Sequence, residues 1–237
     1  MDALKKTLIK IFCPENYTCS FCDREVFDGK PVCEDCLKTL PFNDGFICGR
    51  CGRATKSPTE YCDDCKRSRI YFDGARSSYI YAPPVSGAIK ALKFSGKKYF
   101  AREFAAVMAK VYYKAYFNCE VIVPVPSSPS RIKEKGYNQS ELIAAALGEL
   151  TDIPVINAVA KKRETESQVG LTEKERYSNL SGSFKVVDAE AIKGKKVLIV
   201  DDVMTTGTTL NVMAETLKKA GAYEVYGITA ACALRDD

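Results

Sequence analysis

The sequence of 237 residues predicts an α/β domain with a mainly parallel sheet flanked by helices, preceded by a small cysteine-rich module. Eight closely patterned cysteines and many turn formers occupy the first 70 residues, where long apolar runs are scarce. From Tyr71 onward, apolar segments alternate with amphipathic ones, which is the pattern of strands separated by helices. We therefore expect the cysteine-rich module over residues 1–70 and the α/β domain over residues 71–237.

The predicted elements of the α/β domain follow in the order that such a fold requires. They are a strand over 75–81, helices over 85–94 and 101–117, a strand over 120–125, a helix over 139–150, a strand over 155–160 and, after a polar stretch over 161–183, a strand over 196–201, a helix over 208–220 and a strand over 224–231. Val197 to Val200 are apolar at every position, as in a central parallel strand covered on both faces. Gly221 ends the helix before the last strand.

The composition excludes several classes of function. The chain contains no histidine, which excludes histidine acid–base catalysis and zinc sites with imidazole ligands. No stretch approaches the roughly 18 to 20 consecutive apolar residues that span a bilayer, and residues 1–6 lack the apolar core of a signal peptide. We therefore expect a cytoplasmic protein without membrane insertion, in which cysteines stay reduced and bind metal.

The positive charge is unevenly distributed. The formal net charge is +5, but residues 1–75 contain equal numbers of basic and acidic residues, so the surplus lies in residues 76–237. A basic surplus suits phosphate groups or a nucleic-acid backbone, and one of this size distinguishes neither.

The cysteines form a repeat. The ligands of a first block, 19–36, are Cys19, Cys22, Cys33 and Cys36, and those of a second block, 48–65, are Cys48, Cys51, Cys62 and Cys65. In each block two Cys-x-x-Cys pairs are separated by ten residues, and the second block repeats the first after 29 residues. Two such pairs can hold one tetrahedral zinc ion, and four thiolates leave no open coordination position. We therefore expect two structural Zn²⁺ sites.

Other arrangements of these thiols are disulfides, an iron–sulfur cluster, or ligation shared between the two blocks. Cys13 lies outside the repeat. Cys119 and Cys232 lie in or beside apolar strands, which favours buried small side chains over reactive thiols.

The segment Val197–Thr209 combines an apolar strand, two acidic residues, a short loop and the start of a helix. Unpaired N–H groups and the positive end of the helix dipole favour a phosphate dianion at that start. Gly207 lets the backbone approach the ligand, threonine hydroxyls add hydrogen bonds, and Asp201 and Asp202 would accept hydrogen bonds from sugar hydroxyls. The segment therefore predicts a site for a sugar with a 5′-phosphate, and it differs from a Walker loop because Gly-Lys-Ser/Thr is absent. The alternative is a threonine-rich helix cap.

This segment resembles the ribose-phosphate signature of type I phosphoribosyltransferases, and the resemblance extends from about residue 75 to the end of the chain. It implies a type I phosphoribosyltransferase-like fold in which Asp201 and Asp202 contact the ribose hydroxyls of phosphoribosyl pyrophosphate (PRPP). The implied phosphate-binding residues are Thr205, Thr206, Gly207, Thr208 and Thr209. The Pro-Val-Pro segment 124–126, Arg131 and the Gly-Tyr-Asn-Gln segment 136–139 are similar to the pyrophosphate-loop region, and residues 161–179 fall where the family's mobile loop closes over substrate.

The cysteine blocks, Pro-Val-Pro…Gly-Tyr-Asn-Gln, Ser167-Gln168…Arg176…Asn179 and the Asp-Asp loop together resemble the ComF family, the late-competence group of phosphoribosyltransferase-like proteins. This resemblance implies handling of incoming single-stranded DNA during natural transformation, alongside a DNA-translocating helicase and recombination proteins. The basic run Lys66-Arg67-Ser68-Arg69 is a candidate nucleic-acid contact, with packing of the small module as the alternative.

Two further functions stay open. An active phosphoribosyltransferase would displace pyrophosphate from PRPP with Mg²⁺, and Asp201 and Asp202 would stabilise the cationic sugar. Some enzymes of that family have an acid at the position of Thr205, so threonine there argues against their purine-type mechanism. The third possibility is a zinc-ribbon module that docks a partner protein, with a vestigial phosphate site.

Overall fold

The computed structural model describes residues 18–27, 30–162 and 182–234. Its central sheet has four parallel strands in the order β1-β6-β5-β2. These strands are β1 (Gly74–Ile80), β2 (Val121–Pro124), β5 (Lys196–Met204) and β6 (Glu224–Cys232), and a separate antiparallel pair consists of β3 (Val159–Lys161) and β4 (Phe184–Val186). The parallel sheet flanked by helices that the sequence predicts is confirmed.

Seven helices accompany these strands in the described part of the chain. They are α1 (Glu34–Thr39), α2 (Asp63–Arg67), α3 (Val85–Phe94), α4 (Phe100–Ala115), α5 (Pro129–Lys135), α6 (Gln139–Thr151) and α7 (Thr208–Lys219). None of the helices in these described ranges is long and apolar enough to cross a bilayer.

The sheet separates two apolar clusters. Side chains alternate between the faces of a strand, so Leu198 and Val200 of β5 belong to the cluster that contains the apolar faces of α3, α4 and α6. Val197 and Ile199 belong to the cluster on the other face, together with α7. All four side chains are fully buried, which is why this strand is apolar at every position.

The cysteine-rich region packs on the sheet. All four cysteines of the second block are buried in the same cluster as Val197 and Ile199. Residues 41–43 run antiparallel to β1, because Ile80 N–H donates to the Pro41 carbonyl at 2.7 Å and Asn43 N–H donates to the Ser78 carbonyl at 3.0 Å. This segment covers an edge of the sheet that would otherwise expose unpaired backbone groups.

The structure differs from the predicted elements at three places. The strand over 155–160 is divided: Val155 forms one parallel bridge with Ile122, and Val159 begins β3, which turns to pair with β4. The strand over 196–201 continues to Met204, because β6 pairs with it that far. The helix α5 was not predicted, although Pro129 lies at its first turn and Gly136, with φ of 78°, ends it. Most of the polar stretch, residues 163–181, lies outside the described residues.

Candidate functional site

The two predicted acids lie near the end of β5 and contact different helices. Asp201 Oδ1 accepts a hydrogen bond from Ser140 Oγ, in the first turn of α6, at 2.9 Å. It also accepts one from the backbone N–H of Asp202 at 2.9 Å. Asp202 Oδ2 lies 2.9 Å from Lys93 Nζ, near the end of α3. Both carboxylates are therefore held by partners within the chain.

Burial sets the electrostatics of this pair. Asp202 is only 4% exposed. Burial, followed by the negative charge of Asp202, raises the pKa of Asp201 to about 7, against opposing contributions from Lys93 and Ser140. Burial by itself would lower the pKa of Lys93, but the adjacent Asp202 carboxylate raises it above its usual value. The site therefore contains one firm ion pair and one carboxyl that exchanges its proton near neutral pH.

Asn138 fixes the segment after β2. Its Nδ2 donates to the Val125 carbonyl at 2.9 Å, while its Oδ1 accepts from Ser127 Oγ at 3.0 Å and from Ser140 N–H at 3.1 Å. The last contact caps α6. One buried amide thus connects the predicted pyrophosphate-loop segment to the helix that holds Asp201.

Lys135 interacts electrostatically with both members of the ion pair and also with Arg131. Burial, followed by the positive charges of Arg131 and then Lys93, lowers the pKa of Lys135, and the charge of Asp202 opposes this. Lys135 Nζ also lies 4.3 Å from the centre of the Phe94 ring. Arg131 is exposed on α5. This group of cations can attract a polyanion to the carboxyl ends of the strands.

The predicted phosphate loop lies between β5 and α7. Gly207 is the N-cap of α7 with φ of 80°, a conformation that favours glycine, and its carbonyl accepts the first helical bond from Asn211 N–H at 2.9 Å. Thr206 Oγ1 and Thr208 Oγ1 are 2.7 Å apart. Thr205 is exposed, whereas Thr206, Gly207 and Thr209 are partly exposed and Thr208 is buried. Gly207 has no side chain that could cap the first amides of α7, and the first of them, Thr208 N–H, donates to Thr206 Oγ1 at 3.4 Å.

The eight patterned thiols form two groups, each within its own block. All Sγ atoms of a group lie within 4.8 Å of one another. The Sγ atoms of Cys22 and Cys33 are 3.8 Å apart, and those of Cys51 and Cys62 are 3.7 Å apart. Four sulfurs at about 2.3 Å from one tetrahedral zinc ion are separated by about 3.8 Å. Each group therefore fits a single Zn²⁺, and ligation shared between the blocks is not what the structure shows.

Each group contains a thiol that is prepared for ionisation. Burial opposes ionisation of Cys19, but hydrogen bonds led by the backbone N–H of Cys33 lower its pKa to about 6. Hydrogen bonds from Cys51 and Cys65 lower the pKa of Cys48 far below its usual value. Zinc binds the thiolate and not the thiol. These two thiols are therefore suited to bind zinc as thiolates.

The second cysteine block contacts the phosphate loop directly. Arg53 Nη2 donates to the Thr205 carbonyl at 2.6 Å. Asn211 of α7 accepts a hydrogen bond from Tyr71 N–H at 2.6 Å and donates one to the Arg69 carbonyl at 2.8 Å. A cavity of about 510 Å³ lies between the two parts, and its lining includes Arg53, Arg69, Thr206 and Thr208.

The basic run 66–69 begins in the last turn of α2. Its charged side chains are exposed, and two of them form ion pairs with Asp63. Arg67 Nη2 lies 3.1 Å from Asp63 Oδ2, and Lys66 Nζ lies 4.0 Å from Asp63 Oδ1. The Arg69 guanidinium lies 5.0 Å from the centre of the Tyr71 ring. This run therefore offers a cationic surface with an adjacent aromatic ring.

Sequence reasoning missed four residues of this site: Lys93, Ser140, Arg53 and Asn211. A signal existed for Lys93, which is spaced four residues from buried Ile89 and so lies on the apolar face of α3. A signal existed also for Arg53, since Arg24 occupies the equivalent position of the first block. Ser140 and Asn211 contact residues far away in sequence, and no local pattern indicates them.

Comparison with known protein families agrees with this geometry. The chain matches the phosphoribosyl transferase domain over residues 132–235 and the double zinc ribbon domain over residues 8–66. The phosphoribosyltransferase-like fold, the double zinc ribbon and two structural zinc sites that the sequence predicts are thereby confirmed.

Three curated relatives are similar to the chain. Competence protein F of Haemophilus influenzae is 33% identical over 61% of this chain and 66% of its own length. Competence protein ComFC of Bacillus subtilis is 30% identical over 62% of this chain and 58% of its length. DNA utilization protein YhgH of Escherichia coli is 32% identical over 61% of this chain and 66% of its length. The matches thus span slightly less than two thirds of these relatives.

Proposed function

We propose that the chain is a member of the ComF family of competence proteins, that it handles single-stranded DNA during natural transformation, and that it binds PRPP or a related phosphoribosyl ligand. The names of the curated relatives, two competence proteins and a DNA utilization protein, support the first part. The proposal places the protein in the cytoplasm, with a DNA-translocating helicase and recombination proteins as partners. It assigns the zinc ribbons to residues 1–70 and the ligand site to residues 71–237.

The observation that carries the ligand proposal is the arrangement at the end of β5. Asp201 and Asp202 precede a partly exposed loop, and that loop leads into α7 through Gly207 at φ of 80°. A phosphate at the first turn of α7 would interact with amides that no Gly207 side chain can cap. Thr205, Thr206, Thr208 and Thr209 add hydroxyl groups around the same turn.

The Lys93–Asp202 ion pair limits which ligands can bind at this site. Sugar hydroxyls can reach Asp202 only by sharing it with Lys93 Nζ, which lies 2.9 Å away. A diphosphate would give Lys93 an alternative anionic partner, and Lys135, which interacts electrostatically with Lys93 and Asp202, would be a second cationic partner for the diphosphate. Asp201 and Asp202 supply oxygen ligands of the kind that Mg²⁺ prefers. These contacts favour a ligand with a diphosphate over a simple sugar phosphate.

Calorimetry with PRPP and Mg²⁺ tests the ligand proposal. We expect the wild type to bind, and we expect the Asp201→Asn, Asp202→Asn double variant to bind at least about tenfold more weakly, since each lost charged hydrogen bond accounts for about such a factor. The matched control is the Asp44→Asn, Glu190→Gln double variant, which makes the same change in net charge at exposed positions. Absence of binding by the wild type would contradict the proposal. Equal binding by both double variants would show that PRPP binds at a different site.

The group of cations favours a second candidate function, an active phosphoribosyltransferase. Lys93, Lys135 and Arg131 would stabilise the charge of departing pyrophosphate, while buried carboxylates would stabilise the cationic sugar. Bound Mg²⁺ would supply charge neutralisation at the diphosphate. Release of pyrophosphate that requires an acceptor and Mg²⁺, and that Asp202→Asn abolishes, would establish this activity. Binding of PRPP without release of pyrophosphate would show that the site binds its ligand without catalysing the transfer.

A further inference from the structure

The two zinc ribbons are repeats in structure as well as in sequence. Arg24 and Asp35 of the first ribbon lie 29 residues before Arg53 and Asp64 of the second, the same period as the cysteines. Both arginines hold the same backbone position, since Cys19 N–H donates to the Arg24 carbonyl at 2.7 Å and Cys48 N–H donates to the Arg53 carbonyl at 2.8 Å. Both form an ion pair with the aspartate of their own ribbon.

The surroundings of the two pairs are opposite. The side chains of Arg24 and Asp35 are 64% and 68% exposed. The Arg53 side chain is only 3% exposed, and its Nη1 lies 2.5 Å from Asp64 Oδ2 while its Nη2 donates to the Thr205 carbonyl at 2.6 Å. The first pair shows that a ribbon of this type holds together with its arginine in water. Burial of Arg53 is therefore specific to the contact with the phosphate loop.

The contact fixes the start of the phosphate loop. Because a peptide group is planar and trans, its carbonyl and the following N–H point in opposite directions. Holding the Thr205 carbonyl toward Arg53 therefore directs the Thr206 N–H away from the zinc ribbon. The backbone of Arg53 is itself fixed on one side by the Cys48–Cys51 turn and on the other by β1, where a Cβ at Gly52 would lie 2.4 Å from the Ala75 carbonyl oxygen.

We propose that Arg53 is a positioning residue through which the second zinc ribbon sets the conformation of the phosphate loop, so that zinc occupancy of that ribbon and the affinity of the loop for its ligand are linked. The inference rests on the proposed ligand site. Linkage is reciprocal: if zinc in the second ribbon strengthens ligand binding, the bound ligand raises the affinity of that ribbon for zinc by the same factor. The first ribbon has no part in this coupling.

A second contact holds the second ribbon on α7, so the effect of Arg53 on the loop can be tested while that packing is kept. Asn211 bonds the backbone of Tyr71 and Arg69 without involving Arg53. Asp64 is 20% exposed, so water can reach its carboxylate when the arginine is replaced. We therefore expect Arg53→Met to keep α7 attached to the second ribbon while it releases the Thr205 carbonyl.

The test compares Arg53→Met with Arg24→Met, the same substitution at the repeat-equivalent position. Hydrogen exchange of peptides that cover residues 203–210 measures the loop without any ligand, and calorimetry with PRPP and Mg²⁺ measures affinity. We expect Arg53→Met to accelerate exchange and to weaken binding, each by about tenfold, as loss of one charged hydrogen bond does. Arg24→Met should change neither the loop exchange nor the affinity. Arg53→Lys should have an effect intermediate between those of Arg53→Met and the wild type.

The linkage is measured by equilibrium competition with a zinc-selective chelator in a Cys22→Ser background, which lacks one ligand of the first site. Saturating PRPP with Mg²⁺ should raise the affinity of the second site for zinc by about tenfold, and Arg53→Met should remove most of that effect. Unchanged loop exchange in Arg53→Met, or a zinc affinity that PRPP leaves unchanged although it binds, overturns the inference. Faster exchange in Arg53→Met with no PRPP binding by the wild type overturns the proposed function and leaves the positioning role intact.

Discussion

Adjacent aspartates at the end of one strand have different electrostatic roles. Asp202 faces a lysine across 2.9 Å and forms an ion pair, whereas Asp201 has a serine hydroxyl and a backbone amide as partners. Burial without a dedicated cation is why the pKa of Asp201 rises to about 7. Such a carboxyl destabilises the fold when it is charged, and its presence is understandable if a ligand uses it.

Asp201→Asn should therefore stabilise the protein in a pH-dependent way. Between the ordinary pKa of 3.8 and the folded value of about 7, the folded protein keeps a proton that the unfolded chain has lost, so stability falls as pH rises through that range. The asparagine variant lacks this loss and should be more stable than the wild type at pH 8 by up to about 4 kcal/mol, with little difference at pH 4. Thermal unfolding from pH 4 to pH 8 measures this.

The control for this prediction is Asp44→Asn, which makes the same substitution at an exposed position outside the site. A constant offset for Asp201→Asn across the range would contradict the prediction. The same variant should bind PRPP more weakly, so that stability and ligand affinity change in opposite directions.

Much of the residue-scale site was beyond local sequence reasoning. Asp201, Asp202 and Gly207 are recognisable because strand, acids and turn are consecutive in the chain. Arg53 and Thr205 are 152 residues apart, and their contact follows only from how the ribbon packs on α7. Arg131 was predicted on a loop and lies exposed on a helix, while Lys93 takes the place beside Asp202.

At the scale of elements, the two zinc ribbons have the same architecture, but their cysteines are buried to different extents. In the second ribbon all four cysteines are buried in the cluster that also contains Ile199 and Leu210. In the first ribbon Cys22 is exposed, and Cys33 and Cys36 are partly exposed. The second ribbon is therefore part of the core of the α/β domain, whereas the first contributes only partly buried side chains, such as Phe21 and Val32, to the cluster on the other face of the sheet.

Loss of a zinc ligand should accordingly have unequal effects. Cys62 and Cys33 are equivalent positions of the repeat, each preceding the helix of its ribbon. We expect Cys62→Ser to lower the melting temperature by about 10 °C or more, because it disturbs a cluster shared with the sheet, and Cys33→Ser to lower it by only a few degrees. Calorimetric unfolding with metal analysis measures both, and equal losses would contradict this view of the second ribbon.

Element prediction succeeded where the signal was local and failed where pairing decided the outcome. Strand β5, the loop and helix α7 follow from an apolar run, a glycine and regular periodicity. The segment over 155–160 has the apolar pattern of one strand, but Val155 pairs with β2 and Val159 pairs with β4. Which partner an apolar segment meets is a property of the tertiary structure.

At the scale of the whole molecule, the zinc ribbons and the proposed ligand site form one continuous structure. The ribbons cover an edge of the sheet through residues 41–43 and contact the phosphate loop through Arg53. The exposed basic run at the end of the second ribbon, Lys66, Arg67 and Arg69, lies on the same side of the molecule as that contact, since Arg69 bonds Asn211 of α7. DNA bound to this run would lie close to the ligand site.

The exposed basic run at the end of the second ribbon is the proposed surface for single-stranded DNA. Neutralising Lys66, Arg67 and Arg69 to glutamine should weaken binding of single-stranded DNA and reduce the slope of log affinity against log salt by about 2, because each phosphate contact on a single strand contributes about 0.7. The contribution of Lys66 and Arg67 is reduced to the extent that Asp63 already pairs with them. The matched control replaces Lys90, Lys110 and Lys114, exposed lysines of α3 and α4, with glutamine. Titrations from 50 to 300 mM salt compare the slopes, and an equal decrease for both triple variants would show a diffuse attraction to the whole cationic surface in place of a DNA site beside the second ribbon.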